Sequence, residues 1–579
     1  MQKIIKQTIK KYAGFIVIIA VFITINMYVL TLPAKIIGNI VDLMMNMEQN
    51  QQKIIIHIFY LVGVSLAYLL IRLPWRALAT YTSRCFEKEL KNKIFSQFVK
   101  LKMTDIENIK NGEFMSYFTK DVSEIRNFFY RVMAYATRII AVFVITTSTM
   151  IANVNLKLTL ITMCPIIVTA FVIVKLKAYV EKSFKKSQQY FTELSEYVQE
   201  STDSVRTTKA YAGEYYQLKE FMHKNNLLKR SNNVVDVHST LLSTSINLGF
   251  GICYGIALLL GSKLVLNGEI TIGDFTAFNG YIGLFYGPVS WLPGLISKYK
   301  RAQISYHRID TIFQLEREKI NLKNIEGEES LAGDIEIKNL SYNYPTTIEV
   351  ALKNINLTIP KGKTLGIIGT IGSGKTTLMN LLMKLYTIPD GKIYIDGKDI
   401  NEIPTEVIRN NICYITQEHF LFSTTLKENI TLFKEGYEEK EIVDSTTRSM
   451  LKEEIQGMKN GIDTIIGERG VDLSGGQKQR VVLSRAFLQG SNIVILDDAF
   501  SALDNKTEEK VLENVKELTK DKTCIIISNR ISDIKGADEI IVLEEGEIIQ
   551  RGIHEELSTI PGLYRKFYEQ QSSKEGENV

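Results

Sequence analysis

The sequence predicts a multi-domain chain, an all-α transmembrane domain over residues 1–320 followed by an α/β domain over residues 321–579. Three observations lead there. A length of 579 residues exceeds what one core organises. Before about residue 300, long apolar runs alternate with Lys-rich polar stretches. After about residue 330 the pattern becomes that of a soluble α/β protein, with a glycine-rich loop set between a strand and a helix. The formal net charge of +5 does not indicate a nucleic-acid partner, because Lys and Arg gather beside the apolar runs, as cytoplasmic flanks of membrane spans require. Cys85, Cys164, Cys253, Cys413 and Cys524 stand singly without CxxC spacing, which argues against a disulfide framework or a metal site and for small buried hydrophobes.

Residues 1–14 are not a secretory leader, since the apolar run continues to Pro33 without a small-residue cleavage site. Lys3, Lys6, Lys10 and Lys11 interleave with Ile4, Ile5, Ile9 and Tyr12, the pattern of a short basic helix on the cytoplasmic face of a bilayer; a solvated lead-in to the first span is the alternative. Six segments suit the roughly 30 Å of a hydrocarbon core. They are 14–33, 54–71, 133–152, 158–174, 241–266 and 272–296. Spans three and four, and five and six, are joined by short loops, whereas about sixty residues separate two from three and four from five. Both long connections are rich in Lys and Arg and read as helical, so the helices run past the bilayer into the cytoplasm and return as two hairpins. The tips are expected at 107–114 and 211–221; Tyr211, Tyr215, Tyr216 and Phe221 at the second suit either docking on another protein surface or local packing. Spans five and six carry glycines and, in span six, prolines and an aromatic face, residue types that serve helix packing and kinks or a large apolar cavity. Arg138 lies near the cytoplasmic end of span three, where it can snorkel to the interface; a substrate role is the lesser alternative.

A charged linker (315–333) leads to Gly369, Thr370, Ile371, Gly372, Ser373, Gly374, Lys375, Thr376 and Thr377, between the apolar strand 364–368 and the helical segment 378–386. That context is a phosphate-binding P-loop: glycines let backbone N–H groups wrap phosphates at a helix N-terminus, Lys375 reaches the β- and γ-phosphates, and the Thr376 hydroxyl ligates Mg²⁺. A second strand, 493–496, ends in Asp497 and Asp498, and a carboxylate at that place holds the Mg²⁺ of an ATP site.

Leu473, Ser474, Gly475, Gly476 and Gln477 lie between these motifs, directly before the helical 478–488. This pentapeptide resembles the signature of ABC transporter nucleotide-binding domains. Other matches follow in order: Tyr344 resembles the aromatic that stacks on adenine, Gln417 the Q-loop glutamine, 464–470 the exporter-type X-loop, and 501–504 the D-loop. With six spans and two long hairpins ahead of the ATP domain, the chain resembles half-size ABC exporters over nearly its whole length. The resemblance implies that the hairpin tips are coupling helices, the second docking on a partner chain. It also implies that two ATP domains pair head to tail, so Ser474, Gly475, Gly476 and Gln477 serve the partner's ATP while Thr376, Gln417 and Asp497 hold Mg²⁺ at this chain's own site.

Two positions depart from the family. The residue after Asp497, a Glu that polarises the attacking water in the family, is Asp498, whose carboxylate is one methylene shorter; a ~1 Å misplacement of a catalytic group costs on the order of 10²-fold in rate. The switch histidine expected after strand 523–527 is Asn529, an amide that donates to a phosphate oxygen but carries no charge. The expected function is ATP-driven export of a hydrophobic or amphipathic drug, peptide or lipid, as the degenerate-site half of a heterodimer whose other chain supplies the Glu and His. A homodimeric exporter with slow hydrolysis is the runner-up, and an ATP-gated regulator or channel the reading from another class. No peptidase-like segment precedes the first span, which disfavours self-processing of a peptide cargo. The expected place is the plasma membrane with the ATP domain in the cytoplasm, and the abundance of Ile, Lys and Asn points to a Gram-positive bacterium with an AT-rich genome.

Overall fold

A computed structural model describes residues 2–45, 47–109, 111–129, 133–318, 330–345, 347, 349–467, 470 and 473–576. The chain divides into two compact units: residues Met1–Val99 with Ile109–Leu315, and Lys100–Asn108 with Glu316–Val579.

The first unit is built from six long helices: α1 (Gln2–Met44), α2 (Met47–Phe98), α3 (Met133–Asn153), α4 (Leu156–Asp203), α5 (Glu214–Leu266) and α6 (Ile272–Gln314). Five of them are 43 to 53 residues long and α3 has 21, and at 1.5 Å per residue the five long helices outrun a bilayer, as the long connections call for. Asn155 starts α4 by accepting the Lys157 and Leu158 amides, and a capping box of Thr271 with Asp274 starts α6, so the two short loops end in well-capped helices. Among the described residues five helices are apolar enough to cross a membrane on composition, and α6 is not one of them. Its prolines, glycines and tyrosines lower its hydropathy, while Phe278, Tyr281, Ile282, Phe285 and Val289 bury an apolar stripe inside the bundle. At its start α6 meets α1 backbone to backbone: a Cβ on Gly273 would stand 2.1 Å from the Gly38 carbonyl oxygen. Asp42 of α1 completes that contact by accepting from the Gly273 amide (2.6 Å) and the Thr271 hydroxyl (2.7 Å).

Both hairpin turns fall earlier than the sequence suggests. α2 stops at Phe98 because Leu101 bridges Arg317 and the Lys100 carbonyl accepts from the Glu318 amide (2.7 Å), a long-range pairing that local pattern does not show. The short helix Met103–Asn108 follows. At the second turn Ser204 ends α4, the short helix Val205–Ala210 follows, and the Gly213 amide returns to the Thr208 carbonyl before α5 begins. Of the N-terminal amphipathic pattern, the side chains of residues 1–9 lie outside the described residues; Lys11 and Tyr12 both reach Glu89 on α2.

The second unit holds two sheets. The first is antiparallel, in the order β2 (Val350–Ile359), β1 (Ile335–Asn343), β4 (Ile393–Ile395) and β5 (Lys398–Asp399). The second runs β10 (Glu547–Gly552), β9 (Glu539–Glu544), β3 (Thr364–Gly369), β8 (Thr523–Ile527), β7 (Ile493–Asp497) and β6 (Ile412–Ile415), parallel except for the β9–β10 hairpin. β7 and β8 are buried at every position, as near-continuous apolar strands at the centre of a parallel sheet must be. Each Ile or Leu buried there contributes roughly 1.5–3 kcal/mol. The effect is to fix the C-terminal ends of β3, β7 and β8 side by side, and ligands of parallel sheets bind at such ends.

Candidate nucleotide-binding site

The loop between β3 and helix α7 (Lys375–Leu382) is locked by its glycines. Gly372 and Gly374 take φ of +82° and +100°, which side-chain-bearing residues rarely adopt, and a Cβ on Gly369 would stand 2.0 Å from the Leu543 carbonyl oxygen. The loop is therefore held in one close-fitting conformation at the start of α7. Lys375 bends back over it, donating to the carbonyls of Gly369 (2.8 Å) and Thr370 (2.8 Å) and, at 3.4 Å, to the Ser373 hydroxyl. No carboxylate pairs with Lys375 among the described residues, and burial pulls its ammonium below the usual lysine range against the pull of Asp497 and Asp498.

Asp497 ends β7 opposite that loop. Its Oδ2 lies 3.5 Å from the Thr376 hydroxyl and accepts from the Tyr414 hydroxyl at 3.3 Å. Burial raises this carboxyl above the ordinary aspartate range, the Tyr414 bond opposes that shift, and the neighbouring Asp498 adds to it. A buried carboxylate met only by hydroxyls is a place a cation would stabilise, and a lysine satisfied only by its own loop's oxygens is one an anion would recruit. The residues present thus fit Mg²⁺ and a polyphosphate.

Asp498 is held differently. Its φ is +51°, its amide donates to the Ile527 carbonyl (2.9 Å), and its carbonyl accepts from Gln479 Nε2 (3.1 Å) and the Ser501 hydroxyl (3.2 Å). Asp tolerates this left-handed backbone better than residues with longer side chains. Asn529 follows β8, and its carbonyl accepts from Gln571 at 2.7 Å. One pocket is lined by Tyr344, residues 371–377, Gln417, Asp497, Asp498 and Asn529, together with Thr347, Glu349, Val350, Ala351, Ile527 and Ser528. Its volume is about 370 Å³. Tyr344 sits at its edge, its hydroxyl donating to Thr377 (3.1 Å) and its ring against Tyr386.

The structure leaves Ser474, Gly475, Gly476 and Gln477 away from that pocket. They open helix α8 (Gly475–Gln489), where Ser474 accepts from the Gln477 amide (3.2 Å) and Gln477 accepts from the Ser474 amide (2.9 Å). Ser474 and Gly475 are exposed. Of the X-loop, Thr464–Gly467 is tied to Thr424–Leu426 by backbone bonds, while Glu468 and Arg469 lie outside the described residues.

Three positioning residues were not found from the sequence. Gln479 is fully buried and joins α8 both to Asp498 and, through its Oε1, to the Ala502 amide (2.9 Å). Arg485 reaches from α8 to the Phe420 carbonyl (3.1 Å), in the loop that carries Gln417. Tyr414 holds Asp497 from β6. A glutamine at helical spacing with the apolar Val482, Leu483 and Ala486 is the signal that would have pointed to Gln479.

Comparison with known proteins decides the family. Residues 15–289 match the model of the ABC transporter transmembrane region, and residues 352–501 that of the ABC transporter. The chain is 30% identical to a probable multidrug resistance ABC transporter ATP-binding/permease protein, YheI, of Bacillus subtilis, over 97% of this chain and 95% of that protein. This chain belongs to the ABC transporters. It is a half-size ABC exporter, one membrane domain fused to one ATPase domain. A multidrug resistance-like ATP-binding protein of Buchnera aphidicola, MdlA, is 32% identical over 97% of this chain and 96% of its own. Among solved structures, a bacterial Atm1-family ABC exporter with ATP bound shares the fold at a TM-score of 0.80, with 20% identity, covering 97% of this chain and 99% of the other. An ABC exporter of this size acts as a dimer in a lipid bilayer.

Proposed function

We propose that this chain is the degenerate-site half of a heterodimeric exporter of amphipathic compounds, binding ATP at its own P-loop and turning it over slowly. The observation that carries this reading is the fixed backbone of Asp498. Three hydrogen bonds hold its amide and carbonyl, so the main chain is not free to advance and make up for the missing methylene. Asn529 lines the same pocket without an ionisable ring, alongside Lys375, Thr376 and Asp497.

The roles follow. Tyr344 stacks on the base, Gly369, Thr370, Ile371, Gly372, Ser373, Gly374 and Thr377 shape the loop, and Lys375 turns from its carbonyls to the phosphates. Thr376, Gln417 and Asp497 would hold Mg²⁺, which would supply positive charge to the phosphate oxygens. Asp498 orients water poorly. Ser474, Gly475, Gly476 and Gln477 complete the site of a partner chain that brings its own Glu and His, so ATP at this chain's P-loop clamps the dimer while the other site cycles. The multidrug names of the relatives support an amphipathic substrate, and bacterial relatives support a bacterial plasma membrane, with the Lys- and Arg-rich hairpins and ATP domain on the cytoplasmic side.

The test is ATPase activity of the purified chain with and without its partner. Slow turnover alone, and turnover restored by the partner and insensitive to Asp498→Asn, is expected. Rapid turnover by the chain alone that Asp498→Asn abolishes overturns the reading in favour of a homodimer.

A further inference from the structure

Arg138 does not behave as an interfacial cation. Snorkelling would carry its guanidinium out towards headgroups; instead it crosses the bundle and lies over the ring of Trp291 on α6, 4.8 Å from the centroid. Its Nη2 is 3.4 Å from the Tyr68 hydroxyl on α2, and its Nε is buried with no hydrogen-bond partner. Tyr135 packs on the same tryptophan at 5.3 Å, and the Lys298 ammonium lies 5.8 Å above the Tyr135 ring. Arg72 follows Tyr68 by one helical turn on α2.

What is missing is an acid. No carboxylate pairs with Arg138 or Arg72 among the described residues, and the sequence has none between Glu48 and Glu87 on α2, none along α3, and none between Asp274 and Asp310 on α6. A charge inside a bundle is costly unless paired, and paired charges are the rule there. A cation–π face offsets part of that cost and also supplies an apolar wall.

The geometry points to a substrate subsite: Arg138, with Trp291, Tyr135 and Tyr68 around it and Arg72 one turn beyond Tyr68, receives the acidic head of an amphipathic organic anion whose apolar body lies along the aromatic rings. The exported class is then carboxylates, sulfonates or phosphates with an apolar body. This rests on the amphipathic-substrate reading above and narrows it.

Trp291 is itself a reporter, since the chain has only two tryptophans. The full chain carrying Trp75→Phe, in nanodiscs of phosphatidylcholine, is titrated with 1-pyrenesulfonate and with 1-pyrenemethylammonium, equal in apolar body and opposite in charge. The sulfonate is expected to quench Trp291 with at least about tenfold higher affinity than the ammonium, a charged hydrogen bond being worth about that factor. Arg138→Gln is expected to erase that preference and Arg138→Lys to keep part of it, with nucleotide affinity unchanged in both. Should Arg138→Gln not fold, Arg72→Gln is expected to weaken the sulfonate alone. Equal affinities, or a preference that survives these substitutions, overturns the proposal. Repeating the titration with phosphatidylglycerol in the discs separates the sources of the anion: competition assigns the subsite to a bilayer lipid, and its absence to a soluble compound. Binding is read without ATP turnover, so a chain that binds the sulfonate yet transports nothing contradicts the export reading and leaves the subsite standing.

Discussion

The two edges of the ATP pocket are built to different standards. On one, the glycine loop, Lys375, Thr376 and Asp497 form a complete set of anion and cation binders, each backed by a strand end or a helix start. On the other, Asp498 and Asn529 also sit on anchored backbone, and on the proposed reading one side chain is too short and the other uncharged for hydrolysis. Anchoring and competence are therefore separable.

Four experiments sharpen or break that contrast. The largest effect is expected from Lys375→Ala, which removes the cation of the complete edge; nucleotide affinity should fall on the order of a hundredfold, measured by equilibrium binding. Nearly as large should be the reverse experiment on the deficient edge. Asp498→Glu together with Asn529→His should raise turnover at this chain's own site by about a hundredfold, and either change alone by much less. An unchanged rate would mean the defect lies elsewhere. Gln479→Ala should loosen both Asp498 and Ala502, lowering the turnover of the assembled transporter severalfold while binding stays intact. The smallest effect concerns pH. Glu508, buried beside Asp533 and paired with Arg530, is held up to about 7, above its ordinary value of 4.5. The folded state therefore keeps the proton longer than the unfolded one, and the stability this group contributes is full below about 4.5 and lost as pH rises through about 7. The melting temperature of the ATP domain should fall by a few degrees between pH 5 and pH 8, and Glu508→Gln should flatten that slope.

Much of this was legible in the sequence because it rests on local chemistry. Gly372 and Gly374 announce a loop that needs positive φ, and the apolar run into Asp497 announces a buried strand with a carboxylate at its end. The six helices follow from apolar length, although α6 falls below the apolar threshold because its neighbours rather than lipid cover much of it. What escaped depends on contacts between distant residues. The left-handed turn at Asp498 is set by Ile527, Gln479 and Ser501, and the early end of α2 by Arg317 and Glu318. The inward turn of Arg138 depends on Trp291, more than 150 residues downstream.

The hairpin tips draw a second contrast. Tyr211, Tyr215 and Tyr216 stand 84%, 70% and 75% exposed at the second tip, whereas Met103 of the first packs against the core of the ATP-domain unit and Glu107 accepts from the Tyr386 hydroxyl. The first tip thus belongs to a fold whose remainder begins some two hundred residues later in the chain. Such a fold has no contiguous gene fragment: a piece starting at Glu316 would lack a segment that its own core already accommodates, leaving Tyr386 without its acceptor and an apolar socket open to water. The order of synthesis then matters too. The ribosome delivers Lys100–Asn108 first, and that segment waits, already attached to the membrane helices, for the domain that will close around it.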